Sequence, residues 1–203
     1  MGFGPRADVL VKAIDDKNWA LTSPLDYKGE RDAFEVPTGA RTDFASVPRV
    51  FVWFLPRYGR YTKAAILHDY LWRERAAKGT LSWVDADAIF RRAMRELRVP
   101  FLRRWILWAA VRYAALVKKG GFKGWWKESW RVLLVTLLAL PIVTPPAVVV
   151  LVALAVFFVV EFLFWIILSI ARLVRTRIMK QTTPKEVPMP TFQWRTSSEE
   201  SRL

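Results

Sequence analysis

Four acid or imidazole side chains stand out as residues that could do chemistry. Asp43 lies in the segment 41–48, and the only histidine, His68, is followed directly by Asp69. Asp87 comes later, in a stretch with helical spacing, and we expect it to meet His68 from that helix. Imidazole and carboxylate groups can transfer protons as general acids and bases. The candidate catalytic residues are therefore Asp43, His68, Asp69 and Asp87.

A divalent metal is the cofactor that these residue types would suit. One imidazole with carboxylates is a ligand set for Zn, Mn or Fe, and the hypothesis assigns Asp43, His68 and Asp87 as ligands. Neighbouring residues of a helix point about 100° apart, so His68 and Asp69 would not share one ion. The His-Asp pair also suggests the HD phosphohydrolases, but those enzymes use further histidines, which argues against that family.

A structural interpretation explains the same residues without a reaction. In it Asp43 caps a turn, His68 donates to a nearby carbonyl, and Asp69 pairs with Arg73 four residues later. Asp87 would then lock a loop to a helix by binding Arg41, Arg49 or Arg60. A third arrangement, Ser46 as nucleophile with His68 as base, is weaker because no nucleophile-elbow glycines surround Ser46.

The surrounding pattern predicts an α+β fold that would position these groups. Short apolar pieces separated by polar turns in residues 7–37 predict a small N-terminal antiparallel sheet. Three helices are then expected, namely Lys63 to Ala77 after an N-cap at Thr62, Ser82 to Arg98 with Asp85 as a capping residue, and Phe101 to Lys118.

The third helix is basic and amphipathic. It combines an apolar stripe with five basic residues, namely Arg103, Arg104, Arg112, Lys118 and Lys119. Such a helix suits either a lipid interface or packing on the domain core.

Residues 132–171 contain almost nothing polar, which indicates a membrane segment. We expect a hairpin of two transmembrane helices, 126–144 and 147–171, joined at Pro145 and Pro146. In the alternative, 147–171 crosses once and 126–144 lies in the interface. The predicted organisation is thus an α+β domain over 1–119, a hinge over 120–125, the hairpin over 126–171, and a flexible tail over 172–203.

The charge of the chain favours an anionic partner. The net charge is +14, and basic residues crowd both flanks of the apolar segment. A bilayer with anionic headgroups explains both charge and apolar segment, whereas nucleic acid explains only the charge. Glu161, the only charge in the second predicted helix, suggests a homo-oligomer formed through the membrane. Because there is no cysteine, disulfides and thiolate metal sites are excluded.

The central motifs resemble a family of small bacteriophage and prophage proteins of unknown function. The motifs are Thr42-Asp43-Phe44-Ala45-Ser46-Val47-Pro48-Arg49, Gly59-Arg60-Tyr61, His68-Asp69-Tyr70-Leu71 and Asp87-Ala88-Ile89-Phe90, followed by the helix from Arg103. The resemblance covers about residues 18–117. It implies a phage or prophage origin and brings no activity with it.

Two functions from different classes follow as expectations. The first is a membrane-anchored phage or prophage protein that acts at the host envelope as a structural or interaction module. The alternative is a membrane-tethered, metal-dependent hydrolase with its site at Asp43, His68, Asp69 and Asp87. The expected location is the bacterial inner membrane, with the N-terminal domain and the tail both cytoplasmic, or alternatively the virion.

Overall fold

The first part of the chain forms short β-strands. The computed structural model describes residues 2–4, 8–15, 18–44, 47, 51–56, 58–117, 122–179 and 189–190. Within them six strands occur: β1 Gly2–Phe3, β2 Val11–Ala13, β3 Trp19–Leu21, β4 Leu25–Lys28, β5 Ala33–Val36 and β6 Arg41–Thr42.

These strands build two small antiparallel sheets rather than the single sheet predicted. One sheet has the order β1-β4-β5 and the other β2-β3-β6. In β4, Leu25 and Tyr27 are buried whereas Asp26 and Lys28 are exposed, the alternation of a strand with one face on the core. The β2-β3-β6 sheet matters for the site, because β6 carries Thr42 to the first helix.

The first helix starts at the predicted place and changes geometry before its end. α1 spans Thr62–Tyr70 and continues as a π-helical turn over Leu71–Ala76, where the Ala77 amide donates to the Trp72 carbonyl over 3.2 Å. Thr62 is the first helical residue rather than the N-cap, and its hydroxyl accepts from the Gly59 amide. Gly79, at φ +75°, adopts a conformation that favours glycine and follows the helix end.

The second helix, α2, spans Trp83–Glu96 and has the predicted cap. The Ser82 hydroxyl accepts from the Asp85 amide over 3.0 Å and donates to the Asp85 carboxylate over 2.6 Å. These two bonds close the first turn of α2 on itself and confirm Asp85 as a capping residue.

The third helix, α3, spans Phe101–Leu116 and packs between α2 and the C-terminal helix. Trp108 and Ala109 of α3 form a second hydrophobic cluster with Trp125 and Val132. α3 therefore contributes to the core. Arg112, predicted on its basic face, is instead fully buried.

The C-terminal helix, α4, corrects the predicted hairpin. It is a single helix over Trp125–Met179, 55 residues long, and Pro141, Pro145 and Pro146 lie within it. A proline inside a helix removes one backbone hydrogen bond and can bend the axis without reversing it. Because the residues on both sides are strongly apolar and helical, the proline pair does not become a turn.

Candidate functional site

The centre of the site is a buried pair formed by the two residues expected to meet. His68 of α1 and Asp87 of α2 lie 2.7 Å apart, between Nε2 and Oδ1. Asp87 is fully buried and His68 is only 8% exposed. The His68 ring also packs against Phe90, with 4.8 Å between ring centroids. The pair thus joins two helices in the interior of the domain.

Two further donors complete the surroundings of Asp87. Trp72 Nε1 donates to Oδ1 over 2.8 Å, and the guanidinium of Arg112 donates to Oδ2 over 2.9 Å. A buried carboxylate is costly unless it is paired and hydrogen-bonded, and here both oxygens are engaged. With Trp72 and Arg112 donating, His68 Nε2 acts as the third donor. Asp87 is therefore the point where α1, its π-turn, α2 and α3 meet.

Asp69, the neighbour of His68, faces a different element. Its Oδ2 accepts from the Thr42 hydroxyl over 2.6 Å and from the Asp43 amide over 3.2 Å. The Thr42 hydroxyl oxygen also accepts from the Phe44 amide over 2.9 Å. Phe44 has φ +60°, a conformation unusual for a non-glycine residue. These bonds fix the end of β6 to α1, so His68 and Asp69 serve separate partners, as the helical geometry predicted.

The position of Asp69 changes the pKa of its carboxyl group. Burial raises its pKa to about 7, with a further rise from the nearby negative charge of Asp43. The hydrogen bond from Thr42 and the electrostatic effects of His68 and Arg73 act in the opposite direction but are smaller. A carboxyl group with such a pKa can take or give a proton near neutral pH, which general acid–base chemistry requires.

A cavity opens beside these acids. It has a volume of about 360 Å³, and its polar lining includes Asp43, His68, Asp69 and Arg73. Apolar walls come from α2 and α3, with Phe90 and Leu107 among them. We call it the acidic cavity. It brings three of the four candidate catalytic residues to one space, whereas Asp87 lies behind His68 and is fully buried.

The structure forms no metal site of the predicted kind. Among the residues that it describes, no group of three His, Asp or Glu side chains could hold a metal ion. The carboxylate of Asp87 is already paired with the guanidinium of Arg112, which compensates the negative charge of Asp87. Asp43 and Asp69 both line the acidic cavity, separate from the Asp87 network.

Two expected pairings differ from those found. Asp87 pairs with Arg112 rather than with Arg41, Arg49 or Arg60; Arg41 instead lies 3.8 Å from Asp15, and Arg49 lies outside the described residues. Asp69 accepts from Thr42 and the Asp43 amide rather than pairing closely with Arg73. Ser46 also lies outside the described residues.

The sequence held a signal for Arg112 that the prediction overlooked. Arg112 follows Trp108 by four residues and precedes Ala115 by three, so helical spacing places it on the apolar side of α3. An arginine on an apolar stripe needs a buried carboxylate, and Asp87 lies on the buried side of α2 beside Ala86 and Phe90. Trp72 had a similar signal, because it follows His68 by four residues and helical spacing places both on the same side of the helix.

Comparison with known proteins gives a family without a function. Residues 19–111 match the model of a family described as protein of unknown function (DUF1353). The match supports the resemblance to an uncharacterised family over nearly the same residues, and it includes all four candidate catalytic residues. α4 lies outside it. No curated protein and no solved structure matches the chain.

Proposed function

We propose that the chain is a membrane-anchored protein whose α+β domain is held at the bilayer surface by α4. The observation that carries this proposal is the exposure of α4: in its apolar stretch within Trp125–Arg177, the most hydrophobic window has no buried residue. Monomeric soluble proteins rarely expose contiguous apolar surface of this size. A bilayer is the simplest environment that covers it.

The length of the apolar stretch indicates which part crosses. Residues 132–171 would extend about 60 Å as a helix, whereas the hydrocarbon core is about 30 Å thick. Tilting of the helix cannot accommodate a length twice the thickness of the hydrocarbon core. Residues 147–171 alone would extend about 37 Å and match the core with a moderate tilt. We therefore assign them as a single transmembrane crossing.

The preceding part of α4 suits the interface. Its inner side packs on α3 through Trp125 and Val132. Its outer side presents Trp126, 68% exposed, and Trp130, 59% exposed, followed by Leu133 and Leu137 at helical spacing. Tryptophan is enriched at headgroup depth. This segment would thus lie along the membrane surface, with the domain on one side and lipid on the other. Pro145 and Pro146 then allow the helix axis to bend into the bilayer.

A single crossing changes the expected topology. The hairpin would have put the domain and the tail on the same side, but one crossing separates them. Both flanks of the crossing are basic, so the charges beside it do not choose an orientation. The domain itself is basic, because residues 1–124 carry 23 Lys and Arg against 13 Asp and Glu. Since anionic lipids of the cytoplasmic leaflet attract basic surfaces, we assign the domain to the cytoplasm, facing anionic headgroups, and the tail to the opposite side.

The proposed biological setting rests on the resemblance to bacteriophage and prophage proteins. The central motifs support a phage or prophage origin, and the anchor supports action at the host inner membrane rather than in the virion. In this proposal the protein is a structural or interaction module that holds its acidic cavity at the membrane surface.

Flotation with phospholipid vesicles, followed by alkaline extraction, tests the anchor. We expect the full chain to float and to resist extraction. The variant Val156→Lys/Val160→Lys places two charges near the middle of the crossing, at a cost of about 2.5–3.5 kcal/mol each, and should become extractable. Thr176→Lys, beyond the crossing, is the matched control and should behave like the wild type. Complete extraction of the wild type would refute the anchor.

A hydrolase is the second candidate, and the acidic cavity favours it. Asp69, with its pKa of about 7, lies beside Asp43 in a space that a small substrate group could enter. In this candidate function the chemistry is acid–base, with Asp69 as the proton acceptor. Ester hydrolysis by the full chain, lost in Asp69→Asn but kept in Asp26→Asn, would support it; equal rates in both variants would exclude it.

A further inference from the structure

A second cavity lies between α3, α4 and residues 51–55. Its volume is about 660 Å³, and its walls are almost entirely apolar, including Phe51, Leu55, Ile106, Ala139 and Val143. We call it the apolar groove. Volumes of about 300–1,000 Å³ are typical of ligand pockets. The groove is therefore large enough for a ligand and not merely a packing defect.

The apolar groove lies next to the acidic cavity. The two spaces share four lining residues: Val47, Leu107, Ala110 and Ala114. Ala110 and Ala114 are exposed on α3 and occupy the junction with small side chains. An apolar space thus lies beside a polar one, which is the arrangement that an amphiphile requires.

The groove also leads toward the membrane. Its α4 wall extends from Val135 to Leu151, so it reaches the first turns of the proposed crossing at residues 147–171. A lipid could therefore enter from the bilayer without passing through water. This step rests on the proposed function, because only an anchored chain presents the groove to lipid.

The polar groups of the groove argue against a peptide as occupant. Tyr113 and Thr136 bond to each other over 2.9 Å between their hydroxyl oxygens. Thr144 is the remaining side chain with a hydroxyl in the lining. A buried peptide backbone needs a partner for every amide and carbonyl group, and this lining offers few. An acyl chain needs none.

From these relations we infer that the chain binds an ethanolamine phospholipid, with one acyl chain in the apolar groove and the head at the acidic cavity. Asp43 and Asp69 offer carboxylate oxygens to the ammonium group, and Arg73 at the same cavity offers a cation to the phosphate. The junction at Ala110 and Ala114 holds the glycerol region. The domain would thus hold a single lipid partly lifted from the bilayer.

Photo-crosslinking tests the proposal on the full chain. The chain is placed in vesicles of phosphatidylethanolamine and phosphatidylglycerol that contain a phosphatidylethanolamine probe with a diazirine near the end of one acyl chain. Mass spectrometry then locates the labelled residues. We expect labelling of groove residues such as Ile106 and Val143 that excess unlabelled phosphatidylethanolamine suppresses, together with unsaturable labelling of the outer face at Leu137.

Blocking variants separate the groove from bulk lipid. Ala110→Trp and, independently, Ala114→Trp fill the junction at exposed positions and should reduce groove labelling about tenfold, which corresponds to about 1.4 kcal/mol of binding. Ala153→Trp, exposed within the crossing, is the matched control and should leave groove labelling unchanged. A thermal melt of each variant verifies the fold.

Each other outcome overturns a defined part of the proposal. Unchanged groove labelling in both folded blocking variants refutes the lipid site, while flotation of the same samples leaves the anchor intact. Equal labelling by a probe with a glycerol head refutes the ethanolamine assignment. Crosslinks between two copies of the chain at Val143, in place of lipid, assign the groove to self-association. Failure of the wild type to float refutes the anchor and the lipid site together.

Discussion

Arg112 and Asp87 form an ion pair in which both side chains are fully buried, with 2.9 Å between Nη1 and Oδ2. The pair joins α3 to α2, and His68 adds α1 through the other carboxylate oxygen. Buried ion pairs often contribute little net stability compared with apolar residues, but removing one partner leaves an uncompensated charge. The pair therefore defines how the three helices meet.

Removing Asp87 should destabilise the domain strongly. We expect Asp87→Ala to lower its free energy of unfolding by about 3–5 kcal/mol, because Arg112 would remain buried without its anion. Urea titration of the detergent-solubilised chain, followed by tryptophan fluorescence, measures the change. Asp26→Ala, at an exposed strand position, should change stability by less than about 0.5 kcal/mol.

Replacing both partners tests whether the loss comes from the orphaned charge. Asp87→Leu/Arg112→Met should be more stable than either single variant, because no buried charge remains. A double variant less stable than both single variants would instead show that the network contributes through its bonds to His68 and Trp72.

The stability of the domain should depend on the ionisation of Asp69. Its pKa is raised in the folded state to about 7 from an ordinary value of 3.8, so the folded chain binds a proton that the unfolded chain has lost. Protonation of Asp69 therefore favours folding below pH 4, and this contribution disappears as the pH rises through 7. The stability difference between the wild type and Asp69→Asn, measured by thermal melts across this range, should shift against the wild type as pH rises. Asp26→Asn, at an exposed strand position, is measured over the same range as the control.

Removing the N-terminal cap of α2 should lower the stability of the domain by a smaller amount, independently of the Asp87 network. Ser82→Ala removes the oxygen that accepts from the Asp85 amide and should cost about 1 kcal/mol. Ser82→Asp keeps an acceptor there and should recover part of the loss. Thermal melts compare the two variants, and equal melting temperatures would show that the cap does not limit stability.

The parts of the fold that follow local pattern were predictable from the sequence. α2 has an apolar stripe and a capping motif formed by nearby residues, so the sequence predicted where the helix begins and the role of Asp85. The meeting of His68 with Asp87 followed from two polar residues on the apolar faces of α1 and α2. Such residues need one another when helices pack.

The remaining features depend on geometry that pattern does not encode. The π-helical turn over Leu71–Ala76 is one such feature, because no local residue signals it. The pairing of Asp69 with Thr42 depends on β6 lying against α1, a long-range contact. The proline pair in α4 was predicted to be a turn because proline disfavours helix interiors, but apolar helical residues on both sides override that preference.

Labelling of single cysteines should place the two ends of α4 on opposite sides of the membrane. The chain has no cysteine, so Lys78→Cys and Arg177→Cys each introduce the only thiol. Both positions are exposed. In intact spheroplasts an impermeant maleimide should label Arg177→Cys only, and Lys78→Cys should react after lysis. Equal protection of both positions would support the hairpin instead.

Glu161 should hold copies of the chain together within the membrane. It lies near the middle of residues 147–171 and is exposed on the single helix, where an ionisable group is costly and is usually paired. Hydrogen bonds between Glu161 side chains of neighbouring copies would reduce that cost, so we expect a homo-oligomer in mild detergent. Glu161→Leu should shift it toward the monomer, whereas Glu161→Gln, which retains donors and acceptors, should remain associated. Sedimentation in density-matched detergent measures the masses, with Phe157→Leu as the control one turn away. A monomeric wild type, or an oligomer unaffected by Glu161→Leu, would contradict association through this residue and leave the single crossing as it stands.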